Sequence, residues 1–104
     1  MNRWEHIKAE RAAKRKRGLI HARDRIAERA RSEGLEIRVF GSLARDRISE
    51  MSDLDILVMP GFDPDKRYSI MAWMSELAAE DDVPIDVAFA DVSPELARDS
   101  VPCP

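Results

Sequence analysis

The spacing of apolar residues changes several times along the chain, and each change marks an element. Leu19, Ala22, Ile26 and Ala30 recur at i, i+3, i+7 and i+11, a stripe suited to packing on a sheet. Residues 2–32 are rich in Ala, Arg, Lys and Glu and contain no proline, so the whole segment reads as helical. One long helix is expected, with Gly18 the candidate for a break or bend in it, at about 1 kcal/mol relative to alanine in a helix interior. The half before Gly18, with Trp4 and Ile7, is expected to be the mobile part. Gly34 follows the last periodic residue and fits a helix C-cap. Leu35, Ile37 and Val39 then alternate with Glu36 and Arg38, predicting a strand from Leu35 to Phe40. Leu54 to Met59 is continuously apolar, as a central strand covered on both faces would be.

Pro60-Gly61 ends that strand, and Asp63-Pro64-Asp65 opens a helix over about Lys66 to Glu80. Its apolar face holds Ile70, Met71, Met74, Leu77 and Ala78, with Trp73 also read as core. Asp81-Asp82 belongs to the turn before Pro84, and Ile85 to Ala90 forms a third strand. Ser93-Pro94-Glu95 reads as an N-cap with proline in the first turn of a short final helix, to about Asp99. The expected fold class is α/β (α+β-like), with order α-β-α-β-α-β-α and a small mixed three-stranded sheet covered by helices. The first and second strands should be antiparallel. The second and third, joined by a helical crossover, should be parallel.

Chemistry gathers at one end of that sheet. The first strand delivers Gly41-Ser42, and a short helix from Leu43 to Ile48 is expected to start there. Glycine lets backbone approach a ligand closely, and a helix start offers N–H groups to an anion. Ten residues later come Asp53 and Asp55, which point to one face because strand side chains alternate. Asp86 heads the third strand in the same way. A phosphate cradle beside carboxylates that suit a hard cation points to a nucleoside triphosphate with Mg²⁺. Arg45, Arg47 and Lys66 are candidates for adding charge to the phosphates.

Composition narrows the setting. The chain has 104 residues, read as a single domain over 1–104 with a basic helical N-terminal arm, 1–32. Residues 1–32 hold 11 Lys/Arg against 4 Asp/Glu, and the remainder holds 6 against 16, so the net −3 conceals two charged halves. The basic arm fits contact with nucleic acid, contact with an acidic protein surface, or a solvated helix face. Cys103 stands alone, which excludes an internal disulfide. No apolar run approaches the roughly 20 residues of a membrane span, and the N-terminus lacks a signal-peptide core. A cytoplasmic protein is expected. His6 and His21 have no second ligand at metal-binding spacing and read as ordinary helix residues.

The string GSLAR…SDLDILV, followed by IDVAF, resembles the DNA polymerase β-type nucleotidyltransferases. It is most similar to the minimal nucleotidyltransferases (MNT), the antitoxin-like partners of HEPN proteins. The likeness covers roughly Leu35 to Asp91 and departs where Asp46 follows Ala44-Arg45 in place of the family's usual glycine. The resemblance implies that Asp53, Asp55 and Asp86 are catalytic and hold two Mg²⁺ ions. It implies that Gly41, Ser42 and Arg45 bind the nucleotide, and that ATP donates AMP to a hydroxyl of a HEPN-type protein partner. The competing expectations are a binding antitoxin or adaptor without chemistry and, more weakly, transfer to a small hydroxylated drug.

Overall fold

The computed structural model describes residues 2–103. Its longest element is α1, Arg3–Ser32, one helix of 30 residues with no interruption. Both of its ends are closed by local chemistry. Asn2 Oδ1 accepts the Glu5 N–H at 2.8 Å and the Glu5 carboxylate returns to the Asn2 N–H, a capping box. At the other end Gly34 adopts φ +70°, and the N–H groups of Gly34 and Leu35 bond the carbonyls of Arg31 and Ala30. That pairing is the Schellman closure, and it requires the left-handed residue that glycine supplies.

The candidate break at Gly18 does not occur. A Cβ at this position would lie 2.9 Å from Val83 Cγ1 and 3.3 Å from the Asp81 carbonyl. Glycine is thus used here for close helix approach to the turn before β3. The predicted stripe is buried in full, as Leu19, Ala22, Ile26 and Ala30 are joined by Ala27.

The sheet has four strands, not three, in the order β3-β2-β1-β4. These are β1 (Ile37–Phe40), β2 (Leu54–Val58), β3 (Ile85–Phe89) and β4 (Val101–Pro102). β1 pairs antiparallel with β2, and β2 pairs parallel with β3, as the connections require. β4 is a two-residue edge strand antiparallel to β1. Leu35 falls outside β1 because its N–H closes the helix on the Ala30 carbonyl, and Glu36 precedes the strand with its carbonyl accepting the Met59 N–H at 2.9 Å.

Every residue of β2 is buried. Leu54, Ile56 and Val58 join the core formed with α1 and with α3 (Arg67–Glu80), through Ile70, Trp73, Met74 and Ala78. Met71, expected in that face, is exposed instead, and Trp73 takes the inward position. Alternation sends Asp55 and Leu57 to the opposite face. There the chain's tail supplies cover: Arg38 Nε donates to Ser100 Oγ at 2.6 Å and Arg38 Nη2 to the Ser100 carbonyl at 2.9 Å.

Two short elements are displaced from expectation. The helix after β1 is α2, Gly41–Ala44, so it begins before Leu43 and ends before Ile48. The predicted final helix is a 3₁₀ turn, Pro94–Ala97, and the Ser93 side chain does not cap it. A second 3₁₀ turn, Pro64–Lys66, precedes α3 and is capped by Asp63, whose carboxylate accepts the Asp65 N–H at 3.0 Å. Among the described residues, no helix is long and apolar enough to cross a membrane.

Candidate active site

β1 runs toward one end of the sheet, and β2 and β3 both start there. Phe40, the last residue of β1, stands opposite Asp55, and Asp55 is also the register partner of Asp86. The polarity of three strands therefore places Gly41, Asp53, Asp55 and Asp86 at a common edge. The pairing of β2 with β3 is tied down at this end by the Leu54 N–H donating to the Pro84 carbonyl at 2.8 Å.

Asp55 is the buried member, 8% exposed, with Asp53 half-buried and Asp86 exposed. Burial is the largest cause pushing the Asp55 carboxyl up from 3.8 to about 7. The negative charge of Asp53, a hydrogen bond with that same side chain, and the charge of Asp86 push in the same direction. All four effects penalise an ionised Asp55 in the absence of a counter-charge.

Gly41 lies directly over this carboxylate. A Cβ built on it would fall 1.9 Å from Asp55 Oδ2, and its φ of +72° is a conformation side chains resist. Only glycine meets both demands. Ser42 follows as an interior residue of α2, half-buried, and the N-cap position is held by Phe40. Arg45 ends α2 and is exposed, as is Arg47.

Lys66 must be removed from the phosphate candidates. β2 carries the chain away from the aspartates, and the 3₁₀ turn with Lys66 lies past its far end. There Lys66 shares a cleft with Gly34 and Leu35, at the start of the β1 approach. Strand polarity alone contained this exclusion.

Asp46, at the family's glycine position, has φ +53°, a left-handed conformation that aspartate tolerates better than most residues. Its carboxylate is met by Lys16 Nζ at 2.9 Å. The substitution thus keeps the backbone shape, and the added charge is paired with α1. Sequence reading missed this role of α1 altogether, because Arg11, Arg15 and Lys16 are lost within a long basic run.

The donor set at the sheet edge is made wholly of carboxylate oxygens, the chemistry a hard divalent ion takes. Among the described residues no group of three or more His, Cys, Asp or Glu is arranged to hold a metal ion. Asp53 and Asp55 nonetheless lie close enough for the charge of Asp53 to push the Asp55 carboxyl up. A pair of carboxylates completed by substrate phosphates is the usual Mg²⁺ arrangement, so these residues fit the ion.

An acidic strand edge facing a Gly-Ser turn across a mixed sheet is the architecture of a nucleotidyl-transfer protein. The chain matches the nucleotidyltransferase domain family over residues 20–99 and belongs to it. Its fold is similar to that of a candidate nucleotidyltransferase from Sulfolobus solfataricus, a crystal structure at 1.40 Å resolution. The TM-score is 0.51 at 22% identity, over 88% of this chain and 85% of that one. No curated protein matches the chain significantly.

Proposed function

We propose that this single minimal domain transfers a nucleoside monophosphate, AMP from ATP, to a hydroxyl of a partner protein. The reading extends to the antitoxin of a HEPN/MNT pair through the GSLAR…SDLDILV string. The observation that carries the chemistry is the register of Asp55 with Asp86 beneath Gly41.

Asp53 and Asp55 would hold Mg²⁺ against the triphosphate, with Asp86 on the acceptor side. When bound, the metal supplies charge neutralisation for attacking and leaving oxygens. The chain's own residues do the rest. The backbone at Gly41 and Ser42 receives the departing pyrophosphate, and the absent Cβ lets that backbone lie against the Asp55 carboxylate. Arg45 adds positive charge to the phosphates. Asp86, exposed and facing the acceptor, takes the hydroxyl proton. The acceptor oxygen then bonds to the α-phosphorus, and the bond from that phosphorus to the bridging oxygen of pyrophosphate breaks.

The test is incubation of the purified chain with a co-expressed HEPN-type partner, Mg²⁺ and α-labelled ATP. Label on the partner, lost with Asp53→Ala/Asp55→Ala, is the expected result. The exposure of Asp86, outside any three-ligand group, favours a second reading, a binding antitoxin that uses the fold as a scaffold. Equal neutralisation of the partner by wild type and the double variant, with no label incorporated, would establish that reading instead.

A further inference from the structure

One face of α1 reaches across to the connection between α2 and β2. Lys16 Nζ contacts Asp46 Oδ1 at 2.9 Å, and Arg11 Nη1 lies 3.5 Å from Glu50 Oε2. Between them, Arg15 Nη1 donates to the Ser52 carbonyl at 2.8 Å. Arg11 and Arg15 are one helical turn apart and therefore neighbours on the helix surface. All three residues precede the family-matched segment, which starts at residue 20.

The three contacts are unequal. The Lys16 and Arg11 pairs join exposed or partly exposed side chains, where water screens the attraction. Arg15 is half-buried, and Ser52 is only 7% exposed, so a charge-assisted bond there is not replaced by water at little cost. Its acceptor is the carbonyl of the peptide that enters Asp53. Ser52 is held on its other atoms too: its hydroxyl accepts the Ser49 N–H at 2.9 Å, and its N–H donates to the Ser49 carbonyl at 3.2 Å. On the far side of Asp53, the Leu54 N–H is fixed to Pro84. Asp53 thus lies between two pinned peptide groups, and one of the pins comes from α1. The close approach permitted by Gly18 brings the helix to this end of the sheet.

We infer that Arg15 is a positioning residue for the site: by holding the Ser52 carbonyl it fixes the direction in which Asp53 enters β2. The inference rests on the proposed function in one respect, that Asp53 is a metal ligand. Outer partners that orient metal ligands typically change affinity by about ten- to a hundredfold when removed.

The experiment uses the full chain as wild type, Arg15→Ala, Arg15→Lys and Lys16→Ala, with Mn²⁺ as probe. Free Mn²⁺ is counted by electron paramagnetic resonance, and amide hydrogen exchange is followed across residues 46–58. Arg15→Ala should bind Mn²⁺ about tenfold more weakly. Its exchange should quicken at residues 49–53 and stay unchanged in the strand core, 55–58. Arg15→Lys, which keeps a donor, should recover part of the affinity and carries the test should the alanine variant fail to fold. Lys16→Ala should stay within about twofold of wild type, as a screened surface pair predicts. Wild-type affinity in Arg15→Ala, or an equal loss in Lys16→Ala, overturns the positioning role alone. Wild-type protein that takes up no Mn²⁺ sinks the functional reading and the positioning role with it.

Discussion

Asp55 Oδ2 occupies the space that any side chain on Gly41 would need. A residue at the end of β1 and a residue at the head of β2 are thereby fitted to one another. Gly41→Ala should destabilise the protein by about 3 kcal/mol, combining overpacking with the left-handed backbone penalty. Gly41→Ala/Asp55→Ala should recover the overpacking part and leave about 1 kcal/mol, with no return of transfer activity. Urea denaturation of the four proteins in this cycle decides the matter. Additive losses would show that the two residues are not in contact.

The raised Asp55 carboxyl makes stability depend on pH in an unusual direction. Between about pH 4 and pH 7 the native chain keeps a proton that the unfolded chain has released. Stability should therefore fall as pH rises through this window and level off above it. About 1.4 kcal/mol for each pH unit of displacement, cut by roughly half for the water around Asp53 and Asp86, gives a loss of about 2 kcal/mol. Asp55→Asn should flatten the profile and raise Tm at pH 8 by roughly 5–10 °C. Millimolar Mg²⁺ should stabilise wild type at pH 8 and leave Asp55→Asn unchanged. Thermal melts from pH 4 to 8.5 measure all three, and a wild-type profile matching that of Asp55→Asn would contradict the burial argument.

The two ends of the sheet should separate cleanly in kinetics. Lys66→Ala, past the far end of β2, should leave KM for ATP within about twofold of wild type. Arg45→Ala should raise it about tenfold, the value of one charge-assisted contact. Asp86→Ala should lower kcat by about 10²- to 10³-fold with KM little changed, as loss of a proton acceptor would. Steady-state transfer assays supply each number, and a large KM effect at Lys66 would reverse the assignment of ends.

Gly18 offers a test in which two principles give opposite signs. If the residue were only a weak point in α1, Gly18→Ala would gain about 1 kcal/mol of helix propensity. Because a Cβ there meets the stiff, buried Val83 at 2.9 Å and the Asp81 carbonyl at 3.3 Å, a net loss of about 1 kcal/mol is expected. Gly18→Ala/Val83→Ala should remove the Gly18 penalty from the cycle, leaving the cost of truncating Val83. Equilibrium unfolding reads the sign directly.

Most of what positions the site was legible in the residues. The continuous run Leu54 to Met59 announced a strand buried on both faces, and strand polarity brought Asp53, Asp55 and Asp86 to one edge. What escaped has physical reasons. β4 is two residues long and ends in proline, so it has no periodicity to detect and exists only through pairing with β1. The extent of α2 is set by the left-handed residues Gly41 and Asp46, and a propensity count does not register them. Gly18 reads locally as a helix breaker, because its reason lies 65 positions further along at Val83. Arg15 looked like one cation among many until a carbonyl was found opposite it.

The continuity of α1 has a consequence for how the gene can vary. With both termini locked and no joint at residue 18, the helix behaves as a ruler with fixed phase. One residue inserted between Gly18 and Leu19 would keep the hydrophobic stripe in register, set a side chain where Gly18 now meets Val83, and swing Arg11, Arg15 and Lys16 by about 100° around the axis. A change of length there should therefore cost stability at Val83 and at the same stroke withdraw Arg15 from the Ser52 carbonyl, so that spacing along the helix matters as much as the residues it carries.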